Sequence, residues 1–304
     1  MSVVVITGSS TGIGMAAAQA LARAGHRVFA TMRTPETSAL AKALSEEALP
    51  IRMLPLDVDQ DASVRAAFRQ VEEAGAIDVL VNNAGVGQLG AVEDAPMDLF
   101  RSTMEINFFG AIRCIKAVLP GMRTRRSGCI INVTSIAGRI AYAGSATYCA
   151  SKWALEAASE ALAQEVKPFG IRVAIVEPGV IKTAIFDKAA DLRTGTPYPH
   201  ERRLSALLQA SLQHPVPPEV VGEAIREIVN SETWQLRHPV GPDAAPFLSW
   251  RSSLTDEQWV DYWSQSDAEW CAAMLRDFGM EINLTATLPP KGLKATVTLA
   301  DGGS

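Results

Sequence analysis

Short apolar runs alternate with longer segments of helical periodicity along most of this chain. The runs are rich in β-branched residues and nearly all apolar, which is typical of strands in a parallel sheet that is covered on both faces. Strands are therefore predicted at residues 3–6, 27–31, 51–56, 78–81, 129–135, 171–176 and 235–240.

The segments between these runs have the spacing of helices that connect parallel strands. Helices are predicted at residues 15–24, 35–48, 62–74, 97–122, 146–169, 219–229 and 256–278. The alternation predicts an α/β fold, with a doubly wound (Rossmann) parallel sheet of about seven strands and helices on both faces. A C-terminal helical extension is predicted to follow the sheet.

The same pattern divides the chain into regions. Residues 1–242 are predicted to form one Rossmann domain for dinucleotide binding and catalysis, because 304 residues suffice for one α/β domain with additions. Within it, residues 185–218 lose the strand pattern and gain Pro, Gly, Arg and Leu, which predicts a substrate lid. Residues 243–284 form the helical extension, and residues 285–304 are predicted to be a loose tail.

Composition and charge exclude several classes of function. The 28 basic and 33 acidic residues give a net charge of -5 and are spread along the chain, so no nucleic-acid partner is expected. The four cysteines form no CxxC motif and the four histidines lie apart from them, so neither disulfides nor a metal site is expected. No apolar stretch approaches the ~18 residues of a membrane span, and we expect a cytoplasmic protein that acts on a small molecule.

A glycine-rich turn follows the first predicted strand and precedes the first helix. Its glycines are Gly8, Gly12 and Gly14, and Ser10 and Ile13 lie between them. This order lets backbone N–H groups approach a pyrophosphate, and the helix N-terminus adds its dipole. Because the spacing is GxxxGxG and not the commoner GxGxxG, a plain tight connection is the alternative.

The end of the second strand bears on the choice of cofactor. Rossmann units that bind NAD usually place an acid about 20 residues after the glycines to hold the ribose 2′-hydroxyl, whereas an arginine accommodates a 2′-phosphate. Met32 stands at the expected acidic position and Arg33 follows it. The sequence therefore predicts NADP(H) in preference to NAD(H), with a solvated loop arginine as the alternative.

Polar residues follow the third and fourth predicted strands. Asp57 and Val58 end one of them, and Asn83, Ala84 and Gly85 end the other. The carboxyl ends of parallel strands form the edge at which an open α/β sheet binds its ligand. Strand ends rich in Asx residues are also ordinary turns, but two of them at one edge favour a ligand site.

The strongest candidate for catalysis is a tyrosine four residues before a lysine. Tyr148 and Lys152 lie one turn apart on a predicted helix, so a phenol and an ammonium can reach the same small volume. An ammonium lowers a phenol pKa of ~10 towards working pH, although chance spacing is the alternative. Ser135 ends the preceding strand, where its hydroxyl can meet the phenol. Asn107 lies among apolar helix residues, and a satisfied core amide is the alternative there.

In this order the motifs resemble those of the short-chain dehydrogenase/reductase family, in its single-domain branch. The resemblance spans about residues 2–242 and includes the glycine turn, Asp57-Val58, Asn82-Asn83-Ala84-Gly85, Asn107, Ser135, Tyr148-xxx-Lys152 and Pro178-Gly179. Residues 30–33 and 152–156 are similar to those of members related to 17β-hydroxysteroid dehydrogenases. Each motif alone is weak, whereas the ordered set is specific.

The resemblance implies an oxidoreductase with a catalytic tetrad. Tyr148 would exchange a proton with the substrate oxygen, and Ser135 would hydrogen-bond that oxygen. Lys152 would hold the nicotinamide ribose and lower the pKa of Tyr148, and Asn107 would anchor a water beside it. The implied cofactor contacts are Gly8, Ser10, Gly12, Ile13, Gly14, Arg33, Asp57, Val58, Asn83, Ala84, Gly85, Tyr148, Lys152, Pro178, Gly179, Val180 and Thr183. The resemblance also implies a homodimer or homotetramer that forms through the two long helices.

Beyond residue 242 the resemblance fades. Thr255 to Gln258 form a capping box and Gly279 can end the helix that follows. Trp259, Trp263, Trp270, Met274 and Phe278 fall near one face of it. The favoured interpretation is an amphipathic helix packed on its own domain or on a partner subunit, and a wall of the substrate pocket is the alternative.

Two functions compete for these observations. The first is an NADP(H)-dependent oxidoreductase that interconverts a ketone and a secondary alcohol on a fairly apolar substrate. The second is a catalytically silent, NADP(H)-sensing regulatory protein on the same fold. A sensor has no need of all four catalytic positions, so their presence favours the enzyme. Epimerisation on the same scaffold is a lesser possibility.

Overall fold

Seven parallel strands form the central sheet in a computed structural model that describes residues 1–185 and 196–285. The strands are β1 (Val3–Thr7), β2 (Arg27–Met32), β3 (Ile51–Pro55), β4 (Val79–Asn82), β5 (Gly128–Val133), β6 (Ile171–Pro178) and β7 (Arg237–Val240). Their order in the sheet is β3-β2-β1-β4-β5-β6-β7. The order reverses between β1 and β4, which is the point at which such a sheet binds its ligand. The predicted doubly wound fold is confirmed.

Helices cover both faces of the sheet. They are α1 (Gly12–Arg23), α2 (Ala39–Glu46), α3 (Asp61–Ala74), α4 (Met97–Met104), α5 (Gly110–Arg125), α6 (Ala146–Val166), α7 (His200–Ser211), α8 (Glu219–Asn230), α9 (Ala244–Ser252), α10 (Asp256–Ser264) and α11 (Asp267–Phe278). Most boundaries lie within a few residues of the prediction. The strand predicted to reach Ser135 ends at Val133, and short 3₁₀ turns replace the ends of the helices predicted at 35–48 and 146–169.

The alternation of side chains along each strand divides the core into two layers. Val4 and Ile6 of β1 pack with α1 and α8, whereas Val5 between them packs with α3 and α5 on the opposite face. All three are fully buried. Because burial of such a side chain contributes about 1.5–3 kcal/mol, the near-continuous apolar strands are what a sheet covered on both faces requires.

The single helix predicted over residues 97–122 is interrupted. A π-helical segment, Glu105–Phe109, separates α4 from α5 and contains Asn107. The side chain of Asn107 hydrogen-bonds the backbone of Val86 and the hydroxyl of Ser151. Asn107 thus contacts other elements from the wider π-helical turn. The hydrophobic periodicity of a single helix gives no sign of such contacts, so the interruption was not predicted.

The single helix predicted over residues 256–278 is wrong. Two helices, α10 and α11, occupy this stretch, and α9 precedes them. The predicted capping box at Thr255 is present, but Ser266 forms a second one with Glu269 and begins a new helix. Gly279 ends α11 in the left-handed conformation, as predicted.

The segment predicted as a lid falls partly outside the described residues, and so does nearly all of the predicted tail. Residues 186–195 and 286–304 are not described. The described part of the lid contains α7, which follows Pro199 and contributes Leu204 and Leu208 to the wall of a cavity. In residues 1–185 and 196–285, no helix is both long and apolar enough to span a bilayer.

Candidate active site

A cavity of about 310 Å³ opens at the carboxyl ends of the strands. This volume lies within the usual range for small-molecule and cofactor sites, roughly 300–1,000 Å³. Of the residues predicted to contact cofactor or substrate, all but Gly14 and Asn107 line it. Gly14 packs beneath the glycine turn, and Asn107 lies behind Lys152. The residues predicted from the ends of the strands therefore lie around one cavity.

The glycines at one end of the cavity have no room for side chains. Gly8 has a φ of +69°, and a Cβ there would stand 2.7 Å from the Cα of Ala84. A Cβ on Gly14 would stand 2.4 Å from Asn83 Nδ2 and 2.5 Å from the carbonyl oxygen of Gly8. The turn thus exposes backbone to the cavity at the N-terminus of α1, which is a geometry suited to a pyrophosphate.

The side chain of Thr7, for which the sequence predicts no separate role, holds this turn in place. The hydroxyl oxygen of Thr7 accepts hydrogen bonds from the backbone N–H groups of Asn83 and Ala84, each at 3.0 Å. In return, Asn83 Nδ2 donates to the carbonyl oxygens of Thr7 and Gly8 at 3.0 and 3.1 Å. These bonds join the ends of β1 and β4 across the switch point. The Thr7 side chain therefore stabilises the position of the glycine turn next to the end of β4.

The far end of the cavity is lined by Arg33, Asp57 and Val58. Met32, at the position where an acid would hold a ribose, is buried, and Arg33 is exposed. Within the described part of the chain, no hydrogen bond or ion pair engages the Arg33 guanidinium. This cation is accordingly available to an anionic group at the adenine end of a dinucleotide.

Tyr148 and Ser135 both line the cavity, and their hydroxyl groups interact. Burial raises the pKa of the Tyr148 phenol to about 12, and a hydrogen bond with Ser135 opposes that rise. The Ser135 hydroxyl also accepts from the N–H of Ala137 at 3.1 Å and donates to the carbonyl of Pro178 at 3.3 Å. Ser135 therefore joins the phenol to the Pro178 turn, and a neutral phenol is favoured in this arrangement.

Lys152 is nearly fully buried beside the phenol. Its Nζ lies 5.8 Å from the centre of the Tyr148 ring and donates to the carbonyl of Val133 at 2.9 Å. Burial lowers the pKa of Lys152 to about 8, and the negative charge of Glu156 opposes this change. The sequence predicts that the ammonium lowers the pKa of Tyr148. The net shift of the phenol is upward, because burial is its largest cause.

Asn107 lies on the π-helical segment, beneath Lys152. Its Oδ1 accepts from the N–H of Val86 at 2.8 Å, and its Nδ2 donates to the carbonyl of Val86 and to Ser151, each at 2.9 Å. A Cβ placed on Gly85 would stand 3.3 Å from Asn107 Oδ1 and 3.6 Å from Lys152 Nζ. The amide is thus satisfied by protein groups, and both it and the Lys152 ammonium border Gly85.

Asp243 stabilises the turn after β6. Nothing in the sequence indicates this role, because Asp243 lies beyond the family resemblance. Its Oδ2 accepts from the N–H of Val180 at 2.7 Å. A Cβ on Gly179 would stand 2.1 Å from Asp243 Oδ1, so only glycine fits at that position. Val180 and Thr183, which the resemblance implies as cofactor contacts, line the cavity. The N–H of Val180, however, is engaged by Asp243 in this structure.

Apolar side chains form the wall opposite the glycine turn. The wall includes Val86, Leu89, Ile136, Tyr142, Val180, Ile185, Leu204 and Leu208. Tyr142 stacks on Trp263, with ring centres 6.4 Å apart, and Trp259 Nε1 donates to the carbonyl of Ala141 at 2.8 Å. None of the tryptophans of the extension lines the cavity itself. The extension thus packs on its own domain and supports the wall from behind.

The chain matches a family model and individual proteins. The family model, described as short chain dehydrogenase, matches residues 2–193. A 3-ketodihydrosphingosine reductase from Bacteroides thetaiotaomicron is 39% identical over 245 residues, which are 79% of this chain and 88% of that protein. Human 17-beta-hydroxysteroid dehydrogenase type 1 is 39% identical over 194 residues, which are 62% of this chain and 59% of that protein.

A solved structure agrees with these relatives. An alcohol dehydrogenase from Thermococcus sibiricus, complexed with 5-hydroxy-NADP, superposes with a TM-score of 0.66 and 26% identity and covers 79% of this chain and 95% of that one. The family match covers more than half of the chain, and the sheet order and cavity place the matched motifs at one ligand-binding edge. The chain therefore belongs to the short-chain dehydrogenase/reductase family and is an oxidoreductase that acts on CH–OH or keto groups.

Proposed function

We propose that this chain is an NADP(H)-dependent oxidoreductase that interconverts a ketone and a secondary alcohol on an apolar substrate. The observation that carries the proposal is the meeting of Tyr148 and Ser135 in one cavity, between a glycine turn and an apolar wall. Two hydroxyl groups are thereby available to a single oxygen atom of a substrate whose body contacts the wall.

The residues present fit a nicotinamide dinucleotide. The backbone of Gly8 and Gly12 lines the cavity, a Cβ on Gly8 or Gly14 would collide with neighbouring protein atoms, and α1 begins at the same place. Lys152 lies within the cavity near Gly85, where it would hold ribose hydroxyls. When bound, the cofactor supplies or accepts a hydride at the nicotinamide, so positioning and proton supply remain the tasks of the protein.

Proton transfer would be the task of Tyr148. Because its pKa lies well above neutral pH, the phenol carries the proton that reduction of a carbonyl requires. Ser135 would donate to the same oxygen and stabilise the charge that develops on it. Lys152 is mostly an ammonium at pH 7, since its pKa is about 8. The ammonium would favour the phenolate that remains after the proton has moved.

Preference for NADP(H) is supported by Arg33 and by the buried Met32 beside it. The Thermococcus relative was solved with an NADP derivative, and an arginine at the adenine end that has no partner among residues 1–185 and 196–285 suits a 2′-phosphate. Arg33→Ala should lower kcat/KM for NADPH by about 10- to 100-fold and change the value for NADH little, because a charge-assisted phosphate contact is worth roughly 1.5–3 kcal/mol. Arg69→Ala on exposed α3 is the matched control. An unchanged NADPH-to-NADH ratio in Arg33→Ala would refute the assignment.

The apolar wall indicates the substrate class. Leu89, Ile136, Leu204 and Leu208 offer hydrocarbon contacts with few polar partners apart from the catalytic hydroxyls. The names of the two relatives describe reduction of a keto compound and dehydrogenation of a hydroxysteroid. A ketone flanked by a large hydrocarbon body is the substrate class that this cavity suits.

A screen with NADPH tests the function directly. Ketones with long aliphatic or fused-ring bodies are compared with small polar ketones, and turnover is followed by the absorbance of the reduced nicotinamide. Turnover that increases with apolar size and is lost in Ser135→Ala is expected. Tight NADPH binding without turnover of any ketone or alcohol would favour the regulatory alternative and contradict the proposal.

We also expect copies of the chain to associate through α5 and α6. Phe109, directly before α5, and Trp153 on α6 are 45% and 48% exposed, so both elements offer a large apolar side chain to a partner. Light scattering should then give a mass of at least two chains, and a mass of 32.5 kDa would contradict this expectation.

A further inference from the structure

Two carboxylates lie behind the active site, and neither has a part in the function proposed above. Glu156 is 4% exposed and Glu177 is fully buried. Glu156 follows Lys152 by four residues on α6, so the two side chains are neighbours on one helical face. Glu177 lies on β6, directly before Pro178. A buried carboxylate requires an explanation, because its desolvation is costly.

Glu156 contacts the chain on both sides of Ser135. The hydroxyl of Thr134, the residue before Ser135, donates to Glu156 Oε1 at 2.6 Å. Gly138 ends the 3₁₀ turn that follows Ser135, and a Cβ there would stand 2.8 Å from Glu156 Cγ. The segment that carries the Ser135 hydroxyl therefore contacts Glu156 of α6 on both sides of that hydroxyl.

Arginines from two other elements compensate the buried charge. Arg237 Nε donates to Glu156 Oε2 at 3.0 Å and lies 3.7 Å from Glu177 Oε1. Arg139 Nη1 lies 3.5 Å from the same oxygen of Glu177. The charged groups that face Glu156 are Lys152 and Glu160 on α6, Glu177 on β6 and Arg237 on β7, with Arg139 behind Glu177.

Stability alone is a poor reason for such a cluster. The Coulomb attraction of a buried ion pair often fails to exceed the desolvation cost of its charges. Burial and the charge of Glu156 together raise the pKa of Glu177. The same charge of Glu156 raises the pKa of Lys152 against the effect of burial. The cluster thus acts on a group inside the active site.

We propose that Glu156 is a positioning residue for the reaction, which fixes the Ser135 segment against α6 and places a compensated negative charge one helical turn from Lys152. This inference rests on the proposed function, because it assumes that Ser135 and Lys152 act on substrate and cofactor. Glu156 touches neither the substrate site nor the cavity surface. It acts through Thr134, Gly138 and Lys152.

Glu156→Gln tests the role of the charge, because it keeps the shape of the side chain and an acceptor for Thr134. Loss of a nearby negative charge disfavours the ammonium and favours the phenolate, so the pKa values of both groups fall. The alkaline limb of the kcat profile for ketone reduction should move to lower pH by about one unit.

Glu160→Gln is the matched control, since Glu160 also accepts from Arg237 at 2.5 Å but is 52% exposed. Its profile should move by less than about 0.2 unit. An unmoved profile in Glu156→Gln, or equal shifts in both variants, would overturn the inference.

Thr134→Val tests the positioning part, and it serves if Glu156→Gln fails to fold. The valine removes the tether and keeps every charge, so kcat should fall about tenfold while the pH profile and the dissociation constant of NADPH stay unchanged. Wild-type kcat in this variant would remove the positioning role.

A measurement on Lys152 separates this inference from the proposed function. Nuclear magnetic resonance of ¹³Cε-labelled lysine gives the pKa of Lys152 without any substrate, and Glu156→Gln should lower it. If the wild type turns over no ketone, the proposed function fails while the lysine titration still tests the charge effect. If turnover is present and neither the profile nor the lysine titration moves, only this inference fails.

Discussion

Replacing Lys152 by methionine should stabilise the folded protein at neutral pH while it destroys the site. Burial lowers the pKa of Lys152 from its ordinary value of 10.5 to about 8. The folded chain therefore binds this proton less tightly than the unfolded chain does, and stability rises as the pH rises from 8 to 10.5. From these two pKa values, holding the buried ammonium costs about 3 kcal/mol at pH 7 and about 1 kcal/mol at pH 10.

Methionine removes this cost but also removes the hydrogen bond to the carbonyl of Val133. Leaving that carbonyl without its donor costs about 1–2 kcal/mol at either pH. The loss of this hydrogen bond costs the same at pH 7 and at pH 10, so it cancels when the two changes in unfolding free energy are subtracted. Relative to wild type, Lys152→Met should thus gain about 2 kcal/mol more stability at pH 7 than at pH 10.

The assay is unfolding in urea at pH 7 and at pH 10, followed by circular dichroism. Lys42→Met, at an exposed lysine on α2, is the matched control and should show no such difference between the two pH values. A change in the free energy of unfolding for Lys152→Met that is the same at pH 7 and pH 10 would contradict this prediction. It would mean that the pKa of Lys152 in the folded protein lies close to its unfolded value, as for a lysine that solvent reaches freely.

Two further substitutions test the glycine turn and the C-terminal extension. Gly14→Ala should weaken NADPH binding at least about tenfold and lower stability by about 1–3 kcal/mol, because its Cβ would collide with Asn83 and the Gly8 carbonyl. NADPH binding is titrated by fluorescence, and the control Gly121→Ala in α5, whose Cβ would meet only the end of an arginine, should bind NADPH normally. Trp270→Ala should lower the free energy of unfolding in urea by about 3–5 kcal/mol, since this side chain is fully buried, and Trp234→Ala, half exposed, should cost less than about 1 kcal/mol. Equal NADPH affinity in the two glycine variants would contradict the role given to Gly14. Equal loss of stability in the two tryptophan variants would contradict the role given to Trp270.

The sheet and the ligand-binding edge were predictable because their signals are local. Each strand is a short apolar run, and residues that follow such runs in a parallel sheet meet at one edge. Asp57, Asn83 and Ser135 could therefore be brought together without knowledge of their contacts. The resemblance then assigned roles to residues whose positions the pattern had already indicated.

What remained unpredictable depends on contacts between distant elements. Asp243 and Glu156 act through a backbone N–H and a hydroxyl that other elements supply, and no spacing in the chain records such partners. The apolar wall formed by Tyr142, Leu204 and Leu208 likewise combines residues from separate segments.

The break between α10 and α11 is a different case. Ser266 and Glu269 form a capping box with the same spacing as Thr255 and Gln258, so a local signal for the new helix was present. The aromatic periodicity that runs through both helices obscured it. Here the prediction failed because one pattern outweighed another.

In the proposed function, Tyr148 moves the proton while other groups hold the cofactor. Tyr148→Phe removes a single hydroxyl and keeps the ring, so it separates these tasks in one protein. Ketone turnover and the NADPH dissociation constant should both be measured in this variant and in wild type. We predict that kcat falls by about 10²–10⁴-fold while the NADPH dissociation constant stays within about twofold of the wild-type value. Turnover at the wild-type rate in Tyr148→Phe would contradict the mechanism.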